Sequence, residues 1–230
     1  VHQAEALVTY VAAGTYSAPL DEELEPVATV AWDPQAISVA ANGKFKSLED
    51  IVSYAKDHPG EIKWAAMGTN SSNHLTSALI WDAAGIEVTY VPYDSASKSK
   101  TAVLGGNADV LVGQVSEVKA LVDSGEMICV AVTSENRSTI VNFEEVPTAK
   151  ELGYDVVMGN HRGFFAPPKT DPQIIDYLAS KIKEVYDQAD FAPKMADLGY
   201  ECEFLDAAQI KDLIETTRPD VEAALHALNG

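Results

Sequence analysis

Short continuous apolar runs and stretches of helical period alternate along nearly the whole chain. Leu7 to Val11 reads as a short strand, followed by a polar loop through Gly14 and Pro19. Pro26 to Val30 and Ala36 to Ala40 are two further apolar runs, separated by Trp32-Asp33-Pro34. Ser47-Leu48-Glu49-Asp50 has capping-box spacing and opens a helix that His58-Pro59-Gly60 stops. Ile62 to Met67 then reads as a strand, Leu75 to Ala84 as a helix, Glu87 to Tyr93 as a strand and Ser97 to Leu104 as a helix. Val110 to Val112 and Met127 to Val132 are buried strands flanking a helix over Glu117 to Val122. Thr148 to Leu152 reads as a short helix, and Val156 to Met158 and Gly163 to Ala166 as extended. Pro172 to Gln188 is the longest predicted helix, with Asp171 placed to cap it. Phe191 to Leu198 is helical, Glu203 to Leu205 a strand, and Ala207 to about Leu228 a final helix interrupted near Pro219. Strand and helix in alternation predict an α/β fold with mainly parallel sheets.

Composition narrows the function classes. The 230 residues can bury a good core as one large domain or two lobes, and 47% hydrophobic with 22% charged residues excludes a disordered chain. A net charge of −19 argues against nucleic acid and anionic membrane surfaces as partners. No apolar run reaches membrane-spanning length, and Val1 to Glu5 carries no signal-peptide pattern, so any export signal is expected to have been removed or left out. Two cysteines are too few for a disulfide framework, and Cys129 reads as a buried inert thiol. The five histidines show no metal-ligand spacing, and no cofactor fingerprint is present.

Candidate chemistry gathers at strand-to-helix turns. Gly68-Thr69-Asn70-Ser71-Ser72-Asn73-His74 is a polar turn ahead of a helix whose first N–H groups have no intrahelical partner, a place that suits a carboxylate or phosphate. Ser71 or Ser72 capping the helix is the competing structural reading. Tyr93-Asp94-Ser95-Ala96-Ser97 repeats the pattern, although Asp94 would repel an anion and Ser95 could simply cap. Gln114, after a buried strand, could orient a polar ligand or bond a loop backbone. Arg162, flanked by glycines in Gly159-Asn160-His161-Arg162-Gly163, offers a carboxylate fork or one half of a structural ion pair. A Ser–His pair near Ser71 and His74 lacks a third member.

These motifs, taken in order, resemble the extracytoplasmic solute-binding proteins of tripartite tricarboxylate transporters, the TctC or Bug family. The resemblance is carried by Gly68 through Leu75, Val91-Pro92-Tyr93, Leu104-Gly105-Gly106-Asn107-Ala108-Asp109, Ala131 to Ser134 with Arg137, Val146 to Tyr154, Arg162-Gly163, Ala166-Pro167 and Thr170-Asp171-Pro172. It implies a periplasmic-binding-protein type II fold, with residues 1–31 and 161–230 as lobe 1 and 32–160 as lobe 2, closing on a small carboxylate and catalysing nothing. It further implies a periplasmic or extracellular membrane-associated location and delivery of the ligand to membrane permease subunits. The implied ligand contacts are Gly68, Thr69, Asn70, Ser71, Ser72 and His74, with Ser95, Gln114 and Arg162 facing the same cleft. Where the family commonly has Lys-Gly-Gly this chain has Asp94-Ser95-Ala96, and where many members carry Trp it has His161. The family's first βαβ portion has no counterpart before Leu7, so an incomplete lobe 1 and a homo-oligomer through its exposed edge are expected. Two rival readings are the effector-sensing domain of a regulator and a serine hydrolase using Ser71 or Ser72.

Overall fold

The computed structural model describes residues 2–14 and 23–229, which form two compact units: residues 1–33 with 160–230, and residues 34–159. The chain passes from one unit to the other within two strands, β2 (Glu25–Ala40) and β7 (Gly159–Ala166).

In residues 34–159 the second half of β2 lies antiparallel between β6 (Met127–Val132) and β5 (Val110–Gln114). Beyond β5 come β3 (Lys63–Met67) and β4 (Thr89–Tyr93), both parallel to it in direction. Strand alternation splits the core in two. Ile37, Val39, Trp64, Ala66, Val110 and Val112 turn to one face, where Ile51 and Ala55 of α2 (Leu48–Asp57) and Ile80 and Trp81 of α3 (Ser72–Ala83) cover them. Ala36, Ala65 and Leu111 turn to the other, against Val103 of α4 (Ala96–Leu104), Val115 and Val118 of α5 (Val115–Asp123), and Phe143. Each large side chain buried this way contributes about 1.5–3 kcal/mol. Cys129 is buried in this second layer, and burial pushes its thiol up to about 12.

In the other unit, β1 (His2–Gln3) pairs antiparallel with β7, and α1 (Ala4–Ala12) packs on α8 (Ala207–Asn229). Val27, Ala166 and Ile175 form a core with Ile182 of α6 (Pro172–Tyr186). The short helix α7 (Phe191–Asp197) leads to residues 200–206, which run beside β2. There the Thr29 N–H donates to the Leu205 carbonyl (3.0 Å), and Trp32 and Glu201 exchange backbone bonds of 2.8 and 3.0 Å.

Several sequence expectations are corrected. Leu7–Val11 is not a strand but the middle of α1, where Ala4 through Thr9 are buried and the Thr9 hydroxyl donates back to the Glu5 carbonyl (3.0 Å). A short apolar run alone cannot separate a buried helix from a buried strand. The two runs around Trp32-Asp33-Pro34 are one strand, and Pro34 falls where β2 leaves Glu201 as partner and takes up β5 and β6. The sheet is mixed, since β2 meets β5 and β6 antiparallel while β3 runs parallel to β4 and β5. Thr148 bridges Val132 and residues 149–153 are turn, Glu203–Leu205 lies between single bridges at Glu201 and Asp206, and α8, with Pro219 inside it, is longer than α6. The loop expected through Pro19 lies largely outside the described residues.

Candidate functional site

Three parallel strands lie side by side in the order β5, β3, β4, so their carboxyl ends share one edge. A helix starts from each: α3 after β3, α4 after β4, α5 after β5. Met67 pairs with Tyr93, and Ala65 with Leu111. Continuing that register brings Gln114 level with Gly68. The edge therefore gathers Gly68 through His74, Ser95 and Gln114 with three helix N-termini, each a source of partial positive charge and N–H donors.

The β3–α3 turn is held from within. Gly68 and Asn70 both take left-handed φ values, 70° and 58°, which folds the turn tightly and suits glycine at the first position. Ser71 is the N-cap of α3: its Oγ accepts from the His74 N–H (3.3 Å) and donates to the Met67 carbonyl (2.7 Å). The Asn70 N–H donates to Nδ1 of His74 (3.1 Å), which fixes the neutral tautomer with its proton on Nε2. The His74 ring stacks on Tyr90 at 4.2 Å, with Trp64 on the same aromatic column, and burial lowers the His74 pKa. The Tyr90 hydroxyl donates to the Gly68 carbonyl (2.7 Å), and burial pushes its pKa up to about 12, opposed by a bond with the Thr69 side chain. Trp64 and Tyr90 have no role in the sequence reading. Their signal, an aromatic in each of two adjacent strands, becomes legible only once β3 and β4 pair.

The Ser71 hydroxyl is thus a cap that hydrogen-bonds carbonyls, and the His74 nitrogen facing the turn is occupied by a backbone N–H. No Ser71–His74 nucleophilic pair forms. Ser71→Ala is expected to lose about 1 kcal/mol of stability, the worth of an N-cap, read as a fall of about 2–4 °C in melting temperature.

The two neighbouring turns are built alike. Ser95 caps α4 by accepting from the Lys98 N–H (3.3 Å). Exposed Asp94 pairs with Lys98 at 2.6 Å, and that bond lowers its carboxyl pKa. Gln114 is buried at the end of β5, and its N–H donates to Glu117 Oε2 (3.1 Å). Arg162 belongs to the unit of residues 1–33 and 160–230. There its Nε and Nη2 donate to Asp33 Oδ2 at 2.9 and 2.5 Å, and its guanidinium lies 5.1 Å from the Tyr200 ring centre. Among the described residues no cluster of three or more His, Cys, Asp or Glu could hold a metal ion, and no helix is long and apolar enough to cross a membrane.

Comparison with known proteins bears on the family and the fold. BugT of Bordetella pertussis is 31% identical over 164 residues, 71% of this chain and 50% of that protein. The chain spans 62%, 53% and 50% of the length of three curated relatives it matches. Among solved structures, MatC of Rhodopseudomonas palustris with bound malate superposes with a TM-score of 0.82 at 21% identity, covering 96% of this chain and 76% of that one. An R. palustris protein with adipate gives 0.82 at 22% identity, covering 90% and 69%. At such identities these two establish the fold alone, that of the periplasmic solute-binding proteins. The model of the tripartite tricarboxylate transporter family receptors, TctC, matches residues 8–229, and the chain belongs to that family.

Proposed function

We propose that this chain is the receptor of a small carboxylate, which it holds at the β5–β3–β4 edge through Gly68 to Ser72, His74, Ser95 and Gln114. The observation that carries the reading is the convergence of three helix N-termini and neutral donors at one sheet edge. A carboxylate is stabilised there by oriented N–H dipoles without a buried cation. Malate and adipate in the two R. palustris relatives support a di- or tricarboxylate as the ligand class. The units of residues 1–33 with 160–230 and 34–159 are proposed as the two lobes, and Arg162 as a group that orders β2 through Asp33. The receptor works in the periplasm and passes its ligand to the membrane subunits of a tripartite transporter; it binds and does not turn over.

A thermal-shift screen over small carboxylates at fixed pH and salt tests this. A ligand that binds only the native state raises the melting temperature by mass action. Malate, citrate or adipate is expected to give a saturable rise. Thr69→Ala with Ser72→Ala is expected to weaken binding about 10–100-fold, the loss of one or two hydrogen bonds to a charged group. Silence from every acid in the panel would sink the receptor reading.

A further inference from the structure

We infer that Gln35 selects among ligands at this edge by reading a hydroxyl group on the bound carboxylate, an inference that rests on the receptor reading above. Gln35 is fully buried, 0% exposed. Its backbone is fixed: the N–H donates to Thr133 Oγ1 (3.1 Å) and is 3.3 Å from the Met158 carbonyl, and its own carbonyl accepts from the Thr133 N–H (3.0 Å). Among the described residues, neither the oxygen nor the nitrogen of its side-chain amide has a hydrogen-bonding partner. A buried amide with neither end satisfied is unfavourable, and an apolar residue of the same size would be preferred unless something completes it.

The strand register says where that amide lies. Gln35 is directly opposite Gln114 in the antiparallel β2–β5 pair. Directly opposite residues project from the same face of a sheet. That face also carries Ile37, Val39, Val110, Val112 and Trp64, the layer covered by α3. Gln35 therefore sits at the same strand level as Gln114, on the side where α3 begins at Ser72.

The chemistry of the missing partner follows from the amide. Its oxygen needs a donor and its nitrogen an acceptor. A carboxylate only accepts, so it completes half of the group. A hydroxyl can donate to the amide oxygen while a carboxylate beside it accepts from the amide nitrogen. The ligand class that completes Gln35 is a hydroxy-substituted di- or tricarboxylate. A site with a buried polar group left unpaired discriminates against the analogue lacking the matching group.

Titration calorimetry with two matched pairs, malate against succinate and citrate against tricarballylate, tests the inference on the wild type and Gln35→Met. At least one hydroxy acid is expected to bind about 10–100-fold more tightly than its partner without the hydroxyl. Gln35→Met should bring that pair within about threefold by weakening the hydroxy acid alone. The unliganded melting temperature of the variant should hold steady or rise by about 2–4 °C, since an uncompensated amide has been removed. Equal binding within both pairs by the wild type would overturn the inference. So would equal weakening of both members in Gln35→Met with a lowered melting temperature, which marks a structural amide completed by buried water. Binding of adipate without binding of either hydroxy acid overturns the hydroxyl inference and leaves the receptor standing; no binding of any acid overturns both.

Discussion

Replacing Arg162 with methionine is expected to destabilise the unit of residues 1–33 and 160–230 by about 3 kcal/mol, the usual result of stranding one member of a buried ion pair. Asp33 has no exposed surface, and Arg162 reaches one of its oxygens with two nitrogens, at 2.9 and 2.5 Å. Asp33 lies in β2 beside Trp32, whose backbone is tied to Glu201, while Arg162 lies in β7 with its backbone paired to Gln3. The pair therefore joins two strands that the rest of this unit packs against. Arg162→Met removes both of these charge-assisted bonds from a carboxyl group with no exposed surface. Urea denaturation should show a lower midpoint at unchanged slope. Asp33→Asn combined with Arg162→Met should recover part of the loss, because no lone buried charge is left. An unchanged midpoint in Arg162→Met would show that the pair adds nothing to stability. The consequence for function is direct: loss of ligand binding in an Arg162 variant identifies a ligand contact only if the unliganded protein keeps its stability.

The pattern of apolar runs foretold the α/β class because β3, β5, β6 and the second half of β2 are buried on both faces and so read as continuous apolar runs, whereas β4 at the edge is half exposed. Local capping chemistry was equally legible. Ser47 and Asp50 form the reciprocal box that their spacing predicts, with bonds of 3.1 and 3.2 Å, and Asp171 caps α6 ahead of Pro172. The failures lie where tertiary contact decides. Leu7–Val11 belongs to a helix whose residues Ala4 to Thr9 are buried in unbroken succession, and the sheet is mixed because β2 returns between two strands far along the chain. At the site, the strand-to-helix turns around Gly68, Ser95 and Gln114 stand out in the sequence, and the parallel pairing puts them at one edge. What stays hidden is which groups are already used. The Ser71 hydroxyl donates to the Met67 carbonyl, His74 is held between Asn70 and Tyr90, and the Gln35 amide becomes conspicuous only when Gln114 is found opposite it.

The stability of the wild-type protein should fall as pH rises from about 6.5 to about 9, by roughly 2–4 kcal/mol, through His161. The His161 side chain is 8% exposed and contacts two carboxylates: Nδ1 meets Glu5, and Nε2 lies 3.2 Å from Glu203 Oε2. Its own N–H donates to Glu5 Oε2 (2.7 Å), and Trp32 packs on its ring at 4.6 Å. Burial, the largest single influence, lowers its pKa; the bonds and charges of Glu203 and Glu5 together outweigh it and raise the value to about 9. In turn the imidazolium lowers the Glu203 pKa. In the unfolded chain His161 returns to about 6.5. A group whose folded pKa is raised stabilises fully below its unfolded pKa and ceases to do so above its folded one, so the loss falls between those two values. Above it, a neutral ring faces Glu5, which is itself buried on α1, and the link between α1 and β7 weakens. Denaturation midpoints measured from pH 6 to 10 should decline across this window in the wild type. In His161→Phe they should be lower at pH 6 and nearly level. Glu203→Gln should shift the decline to lower pH, since one of the two carboxylates that hold the proton is gone. A wild-type midpoint that stays flat from pH 6.5 to 9 would mean that His161 is neutral in the fold, and that α1 is held to β7 without an imidazolium.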